Sequence, residues 1–177
     1  MSTSAAAAAG QTPLDETTLG GLLAKAVASR GGTVRLVGRR LHGLASRLIA
    51  DGVPVEATVP RRRDARALRR AVRRAGGAAP EAAVADIHVG LPFADAALDI
   101  LVCRLDPGTF PFPRRTVREL GRAIAPYGVV VLLPGDGASW PEGLVDAWAA
   151  SAGLVPHVAR GMGGALPFAG AVYESRS

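Results

Sequence analysis

The sequence predicts an α/β fold, a mostly parallel sheet with helices on both faces and a C-terminal antiparallel hairpin. Two observations carry this. Short strand-like runs rich in Val, Ile and Leu alternate with longer amphipathic segments from residue 13 onward, the pattern of strands joined by helical crossovers. The last two strand-like runs, Leu154 to Ala159 and Ala169 to Glu174, have only the GMGGALP loop between them, which suits an antiparallel pair.

Residues 13–30 open the fold as a helix. Pro13 lies near its start, Asp15 and Glu16 fall in the first turn, and Leu19, Leu22, Leu23 and Val27 form an apolar stripe. Gly31-Gly32 ends it. Thr33 to Val37 is the first strand, Leu41 to Ala50 a helix, and Val53 to Val59 the second strand after an Asp51-Gly52 turn. Arg62 to Ala75 is a helix that buries Ala65, Leu68, Val72 and Ala75 and turns Arg66, Arg69, Arg70 and Arg73 outward. The third and fourth strands are Ala82 to Ile87 and Leu98 to Arg104. A helix over Arg114 to Ala125 leads through Pro126-Tyr127-Gly128 to a fifth strand, Val129 to Leu133, and Trp140 to Ala152 supplies the last helix.

Composition narrows the class. The chain of 177 residues fits one domain over 13–177, and residues 1–12, MSTSAAAAAGQT, read as a disordered tail. No apolar run approaches the roughly 18 residues of a membrane span, so no membrane association is expected. The N-terminus lacks the basic and leucine-rich regions of a signal peptide. The single cysteine, Cys103, excludes an internal disulfide and fits a reducing, cytoplasmic setting. It falls in a strand and reads as a small core hydrophobe. His42, His88 and His157 are scattered, without partners at metal-ligand spacing, so no metal is expected.

Charge is concentrated. The net charge is +6, yet the segment Arg61 to Arg74 alone carries +7, from eight arginines and the lone acid Asp64. The remainder is close to neutral. Three readings of that segment stay open: a solvated helix face, a surface for nucleic acid or an acidic protein, and a 2′-phosphate site. No aromatic residue interleaves with the arginines, so base stacking is not indicated and nucleic acid is not favoured. The 2′-phosphate reading lacks its GxGxxG partner motif.

The stretch Ala85 to Leu133 carries the chemistry-bearing order. Asp86 closes one run, a Leu-Pro-Phe turn follows, Asp99 opens the next run, and Arg104-Leu105-Asp106-Pro107 ends it. This order resembles the C-terminal half of the core of class I S-adenosylmethionine-dependent methyltransferases, a Rossmann-like fold, over about residues 30–175. The resemblance implies that Asp86 and Ile87 border the adenine, with Asp86 contacting its amino group. It also implies that Asp99 positions the fourth strand, and that Arg104 and its neighbours lie where substrate-contacting residues occur. Gly38 matches the first glycine of the family's cofactor loop, and Gly43 stands one place late for the third.

The first half departs from the pattern. Leu36 stands where the family has an acid, Arg40 and His42 occupy the next two glycine positions, and the second strand ends Thr58-Val59-Pro60 rather than in an acid that binds the ribose. Glu56 comes too early to be that acid. The expected cofactor contacts are therefore Gly38, Gly43, Asp86, Ile87 and Arg104, with S-adenosylmethionine as cofactor if the site works and none if it is degenerate. No catalytic residue is assigned. The losses favour a pseudoenzyme with a binding or regulatory role, perched beside a protein partner or as a homodimer. The alternatives are an active small methyltransferase with a divergent glycine loop, and an anion- or nucleic-acid-binding Rossmann-like module using Arg66, Arg69, Arg70 and Arg73.

Overall fold

The computed structural model describes residues 16–87, 89–135, 143–156 and 171–176. Its elements in chain order are α1 (Glu16–Arg30), β1 (Val34–Val37), α2 (His42–Ala50), β2 (Val55–Val59), α3 (Arg62–Arg74), β3 (Glu81–Val84), β4 (Leu98–Leu105), α4 (Pro113–Ala123), β5 (Ile124–Pro134), α5 (Leu144–Ser151), β6 (Leu154–Pro156) and β7 (Ala171–Ser175). The strands form one sheet in the order β3-β2-β1-β4-β5-β7-β6. β1 to β5 run parallel, and β7 pairs antiparallel with both β5 and β6. The expected architecture is the observed one.

Alternation along each strand sorts the core into two layers. Val34 and Leu36 of β1, Val55, Ala57 and Val59 of β2, and Ile100 and Val102 of β4 face α1, α2 and α3. Those helices meet them with Leu19 and Leu23, Leu44 and Leu48, and Leu68 and Val72. On the opposite face Val37, Leu101, Cys103, Leu105, Val130 and Leu132 pack under Val117 and Leu120 of α4 and Val145 and Ala149 of α5. Tyr173 of β7 is fully buried in this second layer, and its hydroxyl donates to Asp146 Oδ1 of α5 at 2.7 Å. Burial and that carboxylate both push the phenol's pKa up. Burial likewise pushes up the Cys103 thiol, which is a core hydrophobe.

Four local expectations need correction. Ala75 is exposed, because it is the residue after the last turn of α3 and its amide closes back on Ala71. Arg69 does not simply point to water: its guanidinium donates to the Ala82 carbonyl at 3.1 Å and covers part of the open edge of β3. β3 ends at Val84, so Asp86 and Ile87 lie beyond the ladder rather than on it. Ala85 still donates to Val59, but Ile87 turns back to bond Ala85. The fourth concerns the alternation of strand and helix. Between β3 and β4 the described residues hold no helix.

That crossing is fastened by arginine instead. Arg122 of α4 donates to the Phe93 carbonyl at 2.9 Å, to Leu91 at 3.4 Å and to Asp95 Oδ1 at 2.6 Å, while Glu119 holds the same guanidinium at 3.0 Å. These carboxylates hold the Arg122 pKa above its ordinary value. Ile87 and Leu91 then plug into the second layer, and Phe93 packs against it. Phe93 also lies under the Arg35 guanidinium, 5.3 Å from ring centre. The 160s loop, His88, His157 and the start expected for α5 at Trp140 lie outside the described residues.

Candidate functional site

Strand order reverses between β1 and β4, so in an open α/β sheet the ligand crevice lies at their carboxyl ends. The residues there are Gly38, Arg39 and Arg40 after β1, Arg104 to Asp106 at the end of β4, and Asp64 in the first turn of α3 after β2. Gly38 adopts φ +116°, and its amide donates to the Thr58 carbonyl at 3.0 Å. A Cβ at this position would stand 3.2 Å from the Arg104 carbonyl and 3.5 Å from the Phe110 ring. Glycine is required here by the approach of the loop to β4, whatever the crevice binds.

Arginines span this crevice. The Arg104 guanidinium donates to the Arg40 carbonyl at 2.8 Å and to the Pro134 carbonyl at 3.2 Å, tying the loop after β1 to the end of β5. Arg40 itself sits at φ +56°, an unusual conformation for a residue with a side chain. Arg39 bonds Asp64 Oδ1 at 3.4 Å and lies 3.9 Å from Asp106 Oδ2. Asp106 in turn holds its own turn, accepting from the Gly108 amide at 3.2 Å and the Thr109 hydroxyl at 2.8 Å. The Asp106-Pro107 pair is thus a turn anchored by its carboxylate.

Two cavities of about 160 Å³ each adjoin at Arg39 and Arg40. One is lined by Arg39, Arg40, Arg104, Asp106 and Gly108. The other is mostly apolar, walled by Leu36, Leu41, Ala57, Val59 and Leu68, with His42 and Asp64 at its polar side. Asp64 Oδ2 is buried there with no hydrogen-bond partner. The first turn of α2, which opens beside the arginines, has no side-chain cap and no acid.

Solved structures share this architecture. A protein from Bacillus halodurans C-125 assigned as a methyltransferase superposes with TM-score 0.61 at 20% identity, over 76% of this chain and 69% of that one. A SAM-dependent methyltransferase from Aquifex aeolicus gives 0.57 at 15% identity, over 91% of this chain and 98% of its own. The chain has the class I methyltransferase fold. A third structure with the methyltransferase-like architecture, the cyclase SpnF, gives 0.58 at 20% identity, and the chain spans 56% of its length. No protein-family model matches the sequence, and no curated protein does.

Against that fold, the expected cofactor contacts do not converge. Gly38 and Arg104 meet at the switch point. Gly43 is the second residue of α2, inside the helix rather than in the loop. Asp86 is exposed, two residues past β3. Ile87 is buried and lines a separate cleft against Phe110, Phe112 and Thr116 at the start of α4. Glu56 pairs with Arg35 in mid-sheet, well short of the crevice. Of the arginines on α3, Arg66, Arg70 and Arg73 are exposed and Arg69 is engaged with β3.

Sequence reasoning missed Arg39 and Asp64 as members of the site. The one available signal was that Asp64 is the sole acid among the eight arginines of its segment.

The crevice does not fit S-adenosylmethionine. Each cavity is below the roughly 300 Å³ at which small-molecule pockets begin. The cofactor carries a sulfonium and an ammonium, both cations, and three guanidiniums stand where they would lie. Leu36 and Pro60 offer no carboxylate in compensation. Nothing below is routed through the cofactor.

Proposed function

We propose that this protein is a methyltransferase-fold pseudoenzyme, a binding or regulatory component whose crevice has left S-adenosylmethionine behind. One observation carries the reading. The volume at the switch point is spanned by Arg39, held to Asp64 and Asp106, and by Arg104, held to the carbonyls of Arg40 and Pro134. Opening that volume for a cationic cofactor means breaking these contacts and then placing like charges together. The likeness of fold to the cyclase SpnF, a protein named for another reaction, supports keeping fold and methyl transfer apart.

The test is calorimetric titration of the full chain with S-adenosylmethionine and S-adenosylhomocysteine. No heat of binding is expected up to millimolar ligand. Micromolar binding that disappears in Asp86→Ala would overturn the reading and restore the enzyme.

A further inference from the structure

The paired cavities at the switch point have complementary chemistries. The first presents three guanidiniums and one carboxylate, so its lining carries excess positive charge. Arg104 spends two of its hydrogen bonds on neutral carbonyls, which leave its charge uncancelled by those contacts. The Asp106 oxygens already accept from Gly108 and Thr109. The uncapped start of α2 opens alongside, adding partial positive charge of the same sign. The neighbouring cavity is apolar except at one side, where Asp64 Oδ2 is a buried acceptor lacking a donor. An acceptor left in that state is costly until a donor reaches it.

We infer that this double cavity binds a small phosphate monoester of a hydroxylated carbon chain. It rests on the reading that the crevice no longer takes S-adenosylmethionine. The phosphate dianion sits among Arg39, Arg40 and Arg104, whose planar forks match its oxygens. The short carbon chain enters the apolar cavity beside Leu36 and Leu68, and a hydroxyl donates to Asp64 Oδ2. Size agrees with this. A cavity of about 150 Å³ holds one benzene ring, or about six heavy atoms. One such space suits a phosphate group, and its neighbour suits a chain of three or four carbons. A nucleotide is too large for either.

The experiment titrates the full chain with glycerol 3-phosphate, inorganic phosphate, glycerol and S-adenosylmethionine. Glycerol 3-phosphate is expected to bind most tightly, inorganic phosphate more weakly, and glycerol not at all. Arg39→Gln and Arg40→Asn should each weaken glycerol 3-phosphate about tenfold, the loss of one charge-assisted contact. Arg40 is exposed and its positive φ suits asparagine, so that variant keeps the fold. Asp64→Asn should weaken glycerol 3-phosphate and leave inorganic phosphate unchanged. Combined Arg66→Glu, Arg70→Glu and Arg73→Glu on α3 should change neither.

Three results overturn the inference: no binding of glycerol 3-phosphate, binding indifferent to Arg39 and Arg40, or binding lost in the α3 variant. The first of these, with S-adenosylmethionine also silent, leaves the pseudoenzyme reading standing. Binding of S-adenosylmethionine removes both.

Discussion

Replacing Arg104 by methionine tests the arginine span directly. Methionine keeps the apolar stem that packs at the end of β4 and removes only the guanidinium. Two contacts are lost, to the Arg40 carbonyl at 2.8 Å and to the Pro134 carbonyl at 3.2 Å. A hydrogen bond involving a charged group contributes about 1.5–3 kcal/mol when buried. Arg104 is half-buried, and water replaces part of what is lost, so the two together should contribute about 2 kcal/mol. The released Arg40 peptide also sits at φ +56°, and its unfavourable conformation has less to hold it once the bond is gone. The assay is urea denaturation. The midpoint should fall with an unchanged slope, and Tm should drop by about 4–8 °C for a chain of this size. Arg104→Lys should recover less than half of the loss, because one ammonium has no fork to serve both carbonyls. A loss below about 0.5 kcal/mol, the level of an ordinary surface substitution, would refute the bracing role.

Gly38→Ala should cost about 1–3 kcal/mol in the same assay, because φ +116° disfavours a side chain and the added methyl meets the Arg104 carbonyl at 3.2 Å; an unchanged midpoint would contradict the close approach. Arg122→Gln should free the crossing between β3 and β4, seen as faster amide exchange at Phe93 and its neighbours and about 1–3 kcal/mol of lost stability. Stability should also fall at alkaline pH. The folded pKa values of Cys103 and Tyr173 lie above their unfolded ones, so their contribution is complete below the unfolded values, about 8.5 and 10, and declines above each by about 1.4 kcal/mol per pH unit. Urea midpoints from pH 8 to 11 should show this decline, shallower at its upper end in Tyr173→Phe, and a flat profile would sink the argument.

The strands were legible because their burial is two-sided. Thr33 to Val37 and Leu98 to Arg104 differ from β1 and β4 only at their ends, since runs of Val, Leu and Ile have no other place in such a sheet. β3 was misjudged for a physical reason. Ile87 is apolar because a loop carries it into the core, whereas the ladder stops at Val84. Periodicity alone does not separate those two ways of burying a residue. The early start of β5 was hidden similarly. Ile124 pairs with Leu98, ahead of the irregularity that resets the register before Ile100 meets Val129.

The site was legible in its losses and opaque in its gains. Arg40 and His42 stood out because they occupy glycine positions of a known loop. The bracing of Arg104 did not, because both its partners are backbone carbonyls, one 64 residues before it and one 30 after. No side-chain pattern marks a carbonyl as an acceptor.

Gly38 explains why the resemblance to a cofactor loop survives where the cofactor contacts do not. Of the three glycine positions, Gly38 alone faces the backbone of β4, and the sheet excludes any larger residue there. The positions of Arg40 and His42 border a cavity instead, where a side chain meets open space unless a ligand fills it. Once ligand binding no longer constrains them, those two positions are open to charge, while Gly38 stays for packing. The same division applies downstream. Asp106 remains as a turn anchor with three protein partners, whereas Asp86, placed for a ligand in the resemblance, stands exposed beyond β3. What the fold needs is retained residue by residue, and what a cofactor would need has been replaced by arginine.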